Sequence, residues 1–259
     1  MTGTNYENWE ASVPHGVEAR FYSQCSSTNT LAVEYARADG GNEPLWVVAG
    51  QQTDGRGRKG RTWVSEAGNL YTSLVFKPII SPRDLAALPF VIALAARDTV
   101  IELGVTAERV HCKWPNDILV DGHKICGILI ESSARSSFTL EYVIVGIGLN
   151  LIHSPAEAAF KATSLKDSLG RAIDIKKALS VLSHAVKRRL DTWDQTNFEP
   201  IRQEWSDAAW GLGQTRRIST ADDAFDALLV GIDGQGGLEV KLANGETRTI
   251  TAADIFPVG

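Results

Sequence analysis

Residues 109–131 read RVHCKWPNDILVDGHKICGILIE, and this stretch decides the fold class. Runs at Arg109–Trp114 and Asp117–Val120 predict two strands, because apolar residues there are bounded by turn-forming ones. Asp121-Gly122 is typical of a tight hairpin, and the apolar run Lys124–Glu131 follows it directly. Strands joined by such short turns pair antiparallel, since a parallel pair requires a longer crossover. The stretch therefore predicts a sheet that contains antiparallel strands.

The rest of the chain adds strands and helices in an order that is not a strict strand–helix alternation. Hydrophobic periodicity separates the two kinds of element. It predicts strands at Leu45–Ala49, Leu70–Lys77 and Phe138–Leu151, and helices at Leu31–Ala38, Pro82–Gly104, Ile175–Trp193 and Phe198–Ala209. Gly40-Gly41 is expected to end the first helix, and Pro89 to interrupt the second. Strands that come in hairpins and runs predict an α+β fold with a mixed or antiparallel sheet.

After about residue 212 the pattern changes to short β-prone runs separated by glycine-rich turns. These runs are Arg217–Ser219, Ala227–Ile232, Leu238–Leu242 and Thr247–Thr251. Short strands at this spacing are typical of a small β-barrel. We therefore expect two domains, a large one over residues 1–210 and a small barrel over residues 211–259. Residues 1–20 are too few to form a domain of their own.

Composition and charge exclude several function classes. The chain carries a formal net charge of −5, so it lacks the positive field that drives non-specific nucleic-acid binding. It begins without a basic segment and an apolar run, and no stretch approaches about eighteen apolar residues, so neither a secretory signal nor a membrane span is expected. Cys25, Cys112 and Cys126 fit reduced thiols, which favours a cytoplasmic location.

A basic loop, GRGRKGR at Gly55–Arg61, follows Gln51-Gln52-Thr53 and precedes Trp63. Glycine lets backbone N–H groups approach an oxyanion closely, and arginine adds donors suited to phosphate and carboxylate. In an acidic chain, such a loop indicates a small anionic ligand. Taken alone, a solvated loop or a nucleic-acid patch is about equally compatible with it. No Ser or Thr follows a Gly-Lys pair, so the loop is not a P-loop.

Lys124 opens an apolar strand directly after the hairpin turn, so its ammonium can reach a bound carboxylate or phosphate. A strand-end lysine that faces water is the commoner arrangement. Gly127 indicates the close approach of a ligand or of backbone, or else a bulge. Asn116 can bind a ring edge or a ribose, and Asp117 can accept a proton from an amine. Taken singly, each of these two is more often a turn residue.

Two weaker motifs complete the set. Residues 146–150 read GIGLN after an apolar strand, without the third glycine and the helix of a dinucleotide-binding fingerprint. Ser27-Thr28-Asn29 precedes the first predicted helix and on its own is more often a helix cap than a ligand site. The histidines show no pairing of the HExxH type, so no built-in zinc site is expected.

Together these segments resemble the biotin–protein ligase family. The resemblance rests on the order and spacing of Ser27-Thr28-Asn29, Gln52-Thr53, Gly55–Arg61, Trp63, Lys113–Asp117, Lys124 with Gly127, and Gly146–Asn150. It is strongest from about Phe21 to Leu151. It implies a mixed sheet backed by helices, similar to class II synthetases, followed by a small barrel, in agreement with the patterns above.

Some members of this family carry an amino-terminal winged helix and also act as repressors. Here the Ser-Thr-Asn triplet begins at residue 27, which leaves no room for that module. We therefore expect a monofunctional ligase that does not bind DNA or membranes and is a monomer or a weak homodimer.

The resemblance implies a reaction in two steps. Biotin and ATP, with Mg²⁺, form biotinyl-5′-AMP and pyrophosphate. The ε-amine of a lysine on a biotin carboxyl carrier protein then displaces AMP. The implied protein partner is the carrier domain of a biotin-dependent carboxylase such as acetyl-CoA carboxylase.

Residue roles also follow from the resemblance. The implied catalytic residues are Lys124, Arg58 and Asp117, with Asp117 receiving the proton of the carrier amine. The residues implied around biotin are Ser27, Thr28, Asn29, Gln52, Arg56, Gly57, Arg58, Lys124 and Gly127. Those implied around the nucleotide are Arg58, Arg61, Trp63, Asn116 and Asn150. The metal ligands stay unassigned.

Two other functions compete with this interpretation. A lipoate or octanoate–protein ligase shares the fold and the transfer of an acyl group to lysine, but the basic loop and KWPND favour biotin. A nucleic-acid-binding module would use the basic loop differently, and the acidic pI of about 5.6 counts against it.

Overall fold

A computed structural model gives the fold of the chain over residues 6–39, 43–78, 84–136, 139–156, 160–194 and 197–258. The predicted helix end at Gly40-Gly41, the start at Pro82 and the strand start at Phe138 lie outside these described residues. The sheet of the larger part contains the strands β1 Glu7–Asn8, β2 Glu18–Tyr22, β3 Leu45–Ala49, β4 Leu70–Phe76, β5 Val110–Lys113, β6 Asp117–Val120, β7 His123–Ser136 and β8 Thr139–Leu149. Their order in the sheet is β1-β2-β3-β4-β8-β7-β6-β5.

The sheet is mixed, as predicted. Strands β2 and β3 pair in parallel, and the other neighbouring strands pair antiparallel. The predicted hairpin joins β6 to β7, with Asp121 at φ 50° and Gly122 at φ 75°. Both residues adopt the left-handed conformation that this type of turn requires. In the β7–β8 pair, Gly127 lies opposite Gly148, and Leu129 lies opposite Gly146.

Five helices are described: α1 Thr28–Asp39, α2 Leu88–Glu102, α3 Leu165–Leu169, α4 Ile175–Thr192 and α5 Glu199–Asp207. Pro89 occupies the first turn of α2, where its missing N–H costs no hydrogen bond, so the expected interruption is confirmed. Helix α1 begins earlier than predicted, because the side chain of Gln52 accepts a hydrogen bond from the N–H of Thr28. Thr28 and Asn29 are therefore helical residues and not a cap that precedes the helix.

The helices cover the two faces of the sheet unequally. Side chains alternate along each strand, so Val47 packs with α1 on one face, and Val48 packs into the larger core on the other. Helices α2 and α4 pack against each other, and both contact the sheet on the larger-core face. Helix α1 covers β3, β4 and β8 on the opposite face. The part of this face that lies beyond the amino terminus of α1 is not covered by the helix.

The carboxy-terminal part forms a second sheet from β9 Thr215–Ser219, β10 Ala224–Ile232, β11 Leu238–Lys241, β12 Thr247–Ile250 and β13 Asp254–Phe256. Its order is β12-β11-β10-β9-β13, and every neighbouring pair is antiparallel. The β-rich domain is thus confirmed, but its edge strands β12 and β13 do not pair with each other in the described chain, so the sheet is open. Strands β1, β2 and β13 and helix α3 were not predicted.

None of the described helices combines the length and the apolar character that a membrane crossing demands.

Candidate functional site

The floor of the site is a patch of sheet without side chains. Alternation along β8 places Gly146 and Gly148 on the face that α1 covers, and Gly127 of β7 lies beside Gly148. A Cβ atom on Gly146 would lie 2.2 Å from the Asn29 carboxamide oxygen. A Cβ atom on Gly127 or Gly148 would lie 2.7 or 2.6 Å from the ring of Trp63. Asn29 of α1 and Trp63 therefore approach the sheet more closely than they could if these three positions carried side chains.

Trp63 lies over this glycine floor. The Lys124 ammonium stands 5.1 Å from the centre of its ring, within the range of a cation–π contact. The indole N–H is buried and has no hydrogen-bond partner among the described residues. A buried donor without a partner is costly, and a ligand acceptor could satisfy it.

The amino terminus of α1 forms a buried polar wall. Ser27, Thr28 and Asn29 are nearly inaccessible. Gln52 accepts hydrogen bonds from the N–H and the hydroxyl of Thr28, at 2.9 and 3.2 Å, and donates one to the Ser65 hydroxyl at 3.0 Å. The wall is therefore held rigidly by its own hydrogen bonds.

Asn29 uses both ends of its carboxamide within the protein. Its nitrogen donates to Glu131 at 2.6 Å, and its oxygen accepts from Ser73 at 2.6 Å. Ser73 lies opposite Gly146 on the neighbouring strand β4. Asn29 thus braces the amino terminus of α1 against the sheet.

The basic loop crosses above the floor and is closed by backbone hydrogen bonds. The N–H of Trp63 donates to the carbonyl of Gly55 at 2.8 Å, and the N–H of Gly57 donates to the carbonyl of Arg61 at 2.7 Å. A Cβ atom on Gly55 would lie 2.4 Å from the carbonyl oxygen of Trp63. Lys59 has a φ of 57°, a conformation that is uncommon for a residue with a side chain. The glycines of this motif thus serve the fold of the loop as well as any ligand.

Each of the four cations of the loop contacts a polar side chain outside the loop. Arg56 lies 3.7 Å from the Glu131 carboxylate, and Arg58 donates to the side-chain oxygen of Asn116 at 3.3 Å. Lys59 and Arg61 both contact one carboxylate of the second sheet, Asp254, at 3.7 and 2.8 Å.

A buried charge cluster lies at the end of β6. The Asp117 carboxylate is 2.5 Å from the Lys124 ammonium and 3.4 Å from that of Lys113. Burial would raise the pKa of Asp117, but the two ammonium groups hold it below its usual value. Burial also lowers the pKa of Lys113. Asp117 is therefore a carboxylate at neutral pH that is neutralised by two lysines.

Asn116 and Arg58 complete the same region. The side-chain nitrogen of Asn116 donates a hydrogen bond to the backbone carbonyl of Ile128 at 2.5 Å. The backbone carbonyl of Asn116 accepts one from the N–H of Ile128 at 3.0 Å. The bond between Trp114 and Pro115 is cis. Burial lowers the pKa of Arg58, and the nearby carboxylates of Asp117 and Asp254 act in the opposite direction.

Asn150 stands at the end of β8, and a second asparagine fixes the turn that follows it. The oxygen of Asn69 accepts hydrogen bonds from the N–H groups of three successive residues, Leu151, Ile152 and His153. Asn150 itself donates to the carbonyl of Thr163 at 3.0 Å. Asn150 is buried and lines the cavity.

These groups enclose one cavity of about 420 Å³. All fourteen residues that the sequence analysis assigned to biotin, nucleotide or catalysis line it: Ser27, Thr28, Asn29, Gln52, Arg56, Gly57, Arg58, Arg61, Trp63, Asn116, Asp117, Lys124, Gly127 and Asn150. Five cations and two carboxylates are among the lining residues, so an excess of positive charge faces the interior. A ligand with several negative charges fits such a cavity.

Among the lining residues that were given no role from the sequence, four bear on the chemistry of the cavity: Lys113, Phe160, Asp254 and Phe256. Lys113 could have been predicted from the sequence, since it opens the KWPND motif. In the structure its buried ammonium lies 4.4 Å from the centre of the Phe160 ring. Asp254 and Phe256 carry no local signal, because only the packing of the second sheet against the loop places them here. Among the described residues, no group of three or more His, Cys, Asp or Glu could hold a metal ion.

Comparisons with known proteins agree with this geometry. Residues 21–150 match the Biotin/lipoate A/B protein ligase family, and residues 212–256 match the Biotin protein ligase C terminal domain. The chain is 36% identical over 239 residues to a biotin–[acetyl-CoA-carboxylase] ligase of Paracoccus denitrificans. The aligned region covers 90% of this chain and 98% of that protein.

Solved structures show the same similarity. The biotin protein ligase of Aquifex aeolicus in complex with biotin and ATP superimposes with a TM-score of 0.77 at 25% identity, covering 93% of this chain and 99% of that one. The Leishmania major enzyme in complex with biotinyl-5-AMP gives a TM-score of 0.64 at 27% identity, over 92% and 100% of the two chains. From the fold, the cavity and these relatives together, the chain belongs to the Biotin/lipoate A/B protein ligase family and, within it, to the biotin protein ligases.

Proposed function

We propose that the protein forms biotinyl-5′-AMP from biotin and ATP and transfers the biotinyl group to a lysine of a carrier protein. The observation that carries the proposal is the cavity, which joins the rigid polar wall of Thr28 and Gln52 to the cations Arg58 and Lys124. Biotin has a polar ring system and a carboxylate, and ATP adds phosphates. Both kinds of group find complementary partners there.

In the first step, a carboxylate oxygen of biotin attacks the α-phosphorus of ATP, and the bond to the pyrophosphate leaving group breaks. Two anions must approach each other, and negative charge develops on the phosphoryl oxygens. We propose that Arg58 and Lys124 offset this repulsion. Fixed cations in a site that excludes water stabilise such charge strongly.

In the second step, the amine of the carrier lysine attacks the acyl carbon, the carbon–oxygen bond to AMP breaks, and the amine loses a proton. We propose Asp117 for two duties, positioning Lys124 and receiving this proton. The second duty requires that an ammonium first leave its carboxylate, because the two lysines hold the pKa of Asp117 low. The positioning of Lys124 is supported by the 2.5 Å distance between its ammonium and the Asp117 carboxylate.

On the nucleotide side we propose Trp63, Asn116, Asn150, Arg58 and Arg61. Trp63 offers a ring and an indole N–H that has no hydrogen-bond partner among the described residues, and Asn150 lines the cavity. On the biotin side we propose Ser27, Thr28, Gln52, Arg56, Gly57 and Gly127, with Asn29 as the brace of the helix terminus.

We propose Mg²⁺ as the ion that accompanies ATP. Its chemistry would be to neutralise phosphate charge, as in other nucleotide-dependent transfers. Asp117 and Asp254 are the carboxylates that line the cavity, and both are already paired with cations. The ion would then be held mainly by phosphates and water.

For the protein partner we propose a biotin carboxyl carrier domain, in line with the acetyl-CoA carboxylase named for the Paracoccus relative. We also propose a cytoplasmic location, which the three free cysteines favour, and a monomer or weak homodimer. The domain boundary near residue 210 is supported by the start of the second sheet at Thr215.

The test is biotin-dependent exchange of labelled pyrophosphate into ATP, with Mg²⁺ and purified protein. Exchange with biotin, and much weaker exchange with lipoate or octanoate, is the expected result. Exchange with lipoate alone would assign the chain to the lipoate ligases of the same fold. No exchange with any of the three acids would contradict adenylation altogether.

A further inference from the structure

A carboxylate of the second sheet holds the basic loop. Asp254 stands 193 positions after Arg61 in the chain, and yet its Oδ1 accepts a hydrogen bond from the Arg61 guanidinium at 2.8 Å. Its other oxygen lies 3.7 Å from the Lys59 ammonium. Two of the four loop cations are therefore paired with the carboxy-terminal sheet.

Asp254 is well placed to act as a fixed anchor. It belongs to β13, where it pairs with Ser219 of β9, and its neighbours Ala253 and Ile255 are fully buried. Burial would raise the pKa of its carboxyl group, but Arg61 and Lys59 lower it below its usual value. The group is therefore charged at neutral pH.

The loop side of this contact is also specifically arranged. Lys59 adopts a left-handed backbone conformation, φ 57°, and Gly60 follows with φ 71°. This turn brings Lys59 and Arg61 to the same carboxylate. The next residues lead directly to Trp63 on the glycine floor, so the contact with Asp254 and the position of Trp63 belong to one closed loop.

We propose that Asp254 is a positioning residue that latches the basic loop over the cavity through Lys59 and Arg61, so that the carboxy-terminal sheet controls the closure of the loop. Only the expected effect of the latch on the binding of ATP and the adenylate depends on the proposed function. The closure of the empty enzyme is a separate property.

The contact has a predictable size. The Asp254 side chain is 28% exposed, and those of Lys59 and Arg61 are 39% and 52% exposed. Two partly exposed ion pairs of this kind together change an equilibrium by about 3- to 10-fold. Salt should weaken them, since exposed charges are screened.

The experiment is limited trypsin digestion of the full chain without biotin or ATP. Trypsin cleaves after arginine and lysine, and the loop offers four sites. Asp254→Asn should be cut in the loop about 3- to 10-fold faster than the parent protein. Asp254→Glu should restore much of the resistance, because it keeps the charge. Asp226→Asn is the matched control, since Asp226 forms a half-exposed ion pair with Arg217 on the same sheet, at 3.2 Å.

A second measurement varies the salt concentration. Raising the NaCl concentration to about 1 M should accelerate loop cleavage of the parent protein and leave that of Asp254→Asn nearly unchanged. Equal cleavage of the parent, Asp254→Asn and Asp226→Asn would overturn the latch, whether or not the protein exchanges pyrophosphate.

The catalytic readout separates a latch from a competitor. If Asp254 holds the loop closed, Asp254→Asn should raise the KM for ATP by about 3- to 10-fold with a smaller change in kcat. If Asp254 instead competes with the phosphates for Lys59 and Arg61, the same variant would lower that KM. A lowered KM would therefore refute the proposal.

Discussion

The ring of Trp63 lies so close to Gly148 that a Cβ atom on the glycine would fall 2.6 Å from it. This contact holds Trp63, two residues after the basic loop, against the sheet in the lining of the cavity. A side chain of any size at Gly148 must displace the ring, because the strand pairs on both sides and cannot yield easily.

We predict that Gly148→Ala raises the KM for ATP by about 5- to 100-fold, the range expected when the stacking of one ring on a base is lost. Gly231→Ala in β10 is the matched control, since the nearest atom to its Cβ would be 3.7 Å away. Initial rates of pyrophosphate exchange at several ATP concentrations measure the effect. An unchanged KM for Gly148→Ala would show that the Trp63 position does not serve the nucleotide.

Lys124→Ala should reduce adenylate formation by about 100- to 1000-fold, because a fixed cation is removed from the reacting anions. The fold should survive, since the side chain lies at the edge of the cavity and is 24% exposed. Single-turnover formation of biotinyl-AMP measures the loss, and Lys177→Ala on the exposed side of α4 serves as the control. Turnover close to that of the parent protein would remove Lys124 from the mechanism.

Arg58→Gly should loosen the hold on the adenylate, because the guanidinium that contacts Asn116 at the cavity is lost. We expect biotin to appear on lysines of an added bystander protein such as serum albumin. Western blotting with streptavidin compares the variant with the parent protein at equal exchange activity. Labelling that stays confined to the carrier would contradict the retention of the intermediate by Arg58.

Asp117→Asn should destabilise the protein by about 3–5 kcal/mol at pH 7, because two lysine ammonium groups lose their buried counter-ion. The folded pKa of Asp117 lies below its unfolded value, so its contribution is present at neutral pH. It is lost as the pH falls below about 4 and through the folded value.

Urea unfolding at neutral and acidic pH measures this difference. The gap between parent and variant should shrink on acidification. Asp226→Asn, which breaks a half-exposed pair, should cost less than about 1 kcal/mol. A similar small cost for Asp117→Asn would show that the cluster is solvated.

The cysteines should not be needed for activity. Cys112 and Cys126 are fully buried, and burial raises the pKa of each to about 12, while that of Cys25 rises to about 11. At pH 8 a thiol of pKa 12 is ionised in about one molecule in 10,000, so alkylation is slow. Native protein treated with iodoacetamide should keep its exchange activity, and mass spectrometry should show which of its thiols have been alkylated. Inhibition that follows the modification of Cys25 would give that residue a role beside Gln52.

Local pattern was sufficient where an element is decided by its own residues. The strand Leu45–Ala49 appears with its predicted bounds, because five apolar residues in a row are buried on both faces. Strand β2, EARFY, was missed, since charged and aromatic residues are mixed there and the pairing with β3 supplies its order. Strand β13 was also missed, because it has only three residues and its pairing with β9 supplies its order.

The members of the site were predictable, but several of their contacts were not. Motif order brought Lys124 and Asp117 into one hypothesis, and the structure adds that they form a pair. Asn29 was expected near biotin and lines the cavity, and the structure adds that its amide bridges Ser73 and Glu131, since Gly146 leaves room for it. Such contacts depend on residues far apart in the chain, which no local spacing reveals.

The glycine floor limits how the specificity of this enzyme can be redesigned. Gly127, Gly146 and Gly148 shape the surface by having no side chains, so every substitution there adds atoms and none removes them. Mutation of the floor can only narrow the range of acids or nucleotides that fit. Room for bulkier biotin analogues must therefore come from lining residues that have side chains to shorten, such as Thr28 and Gln52 of the polar wall.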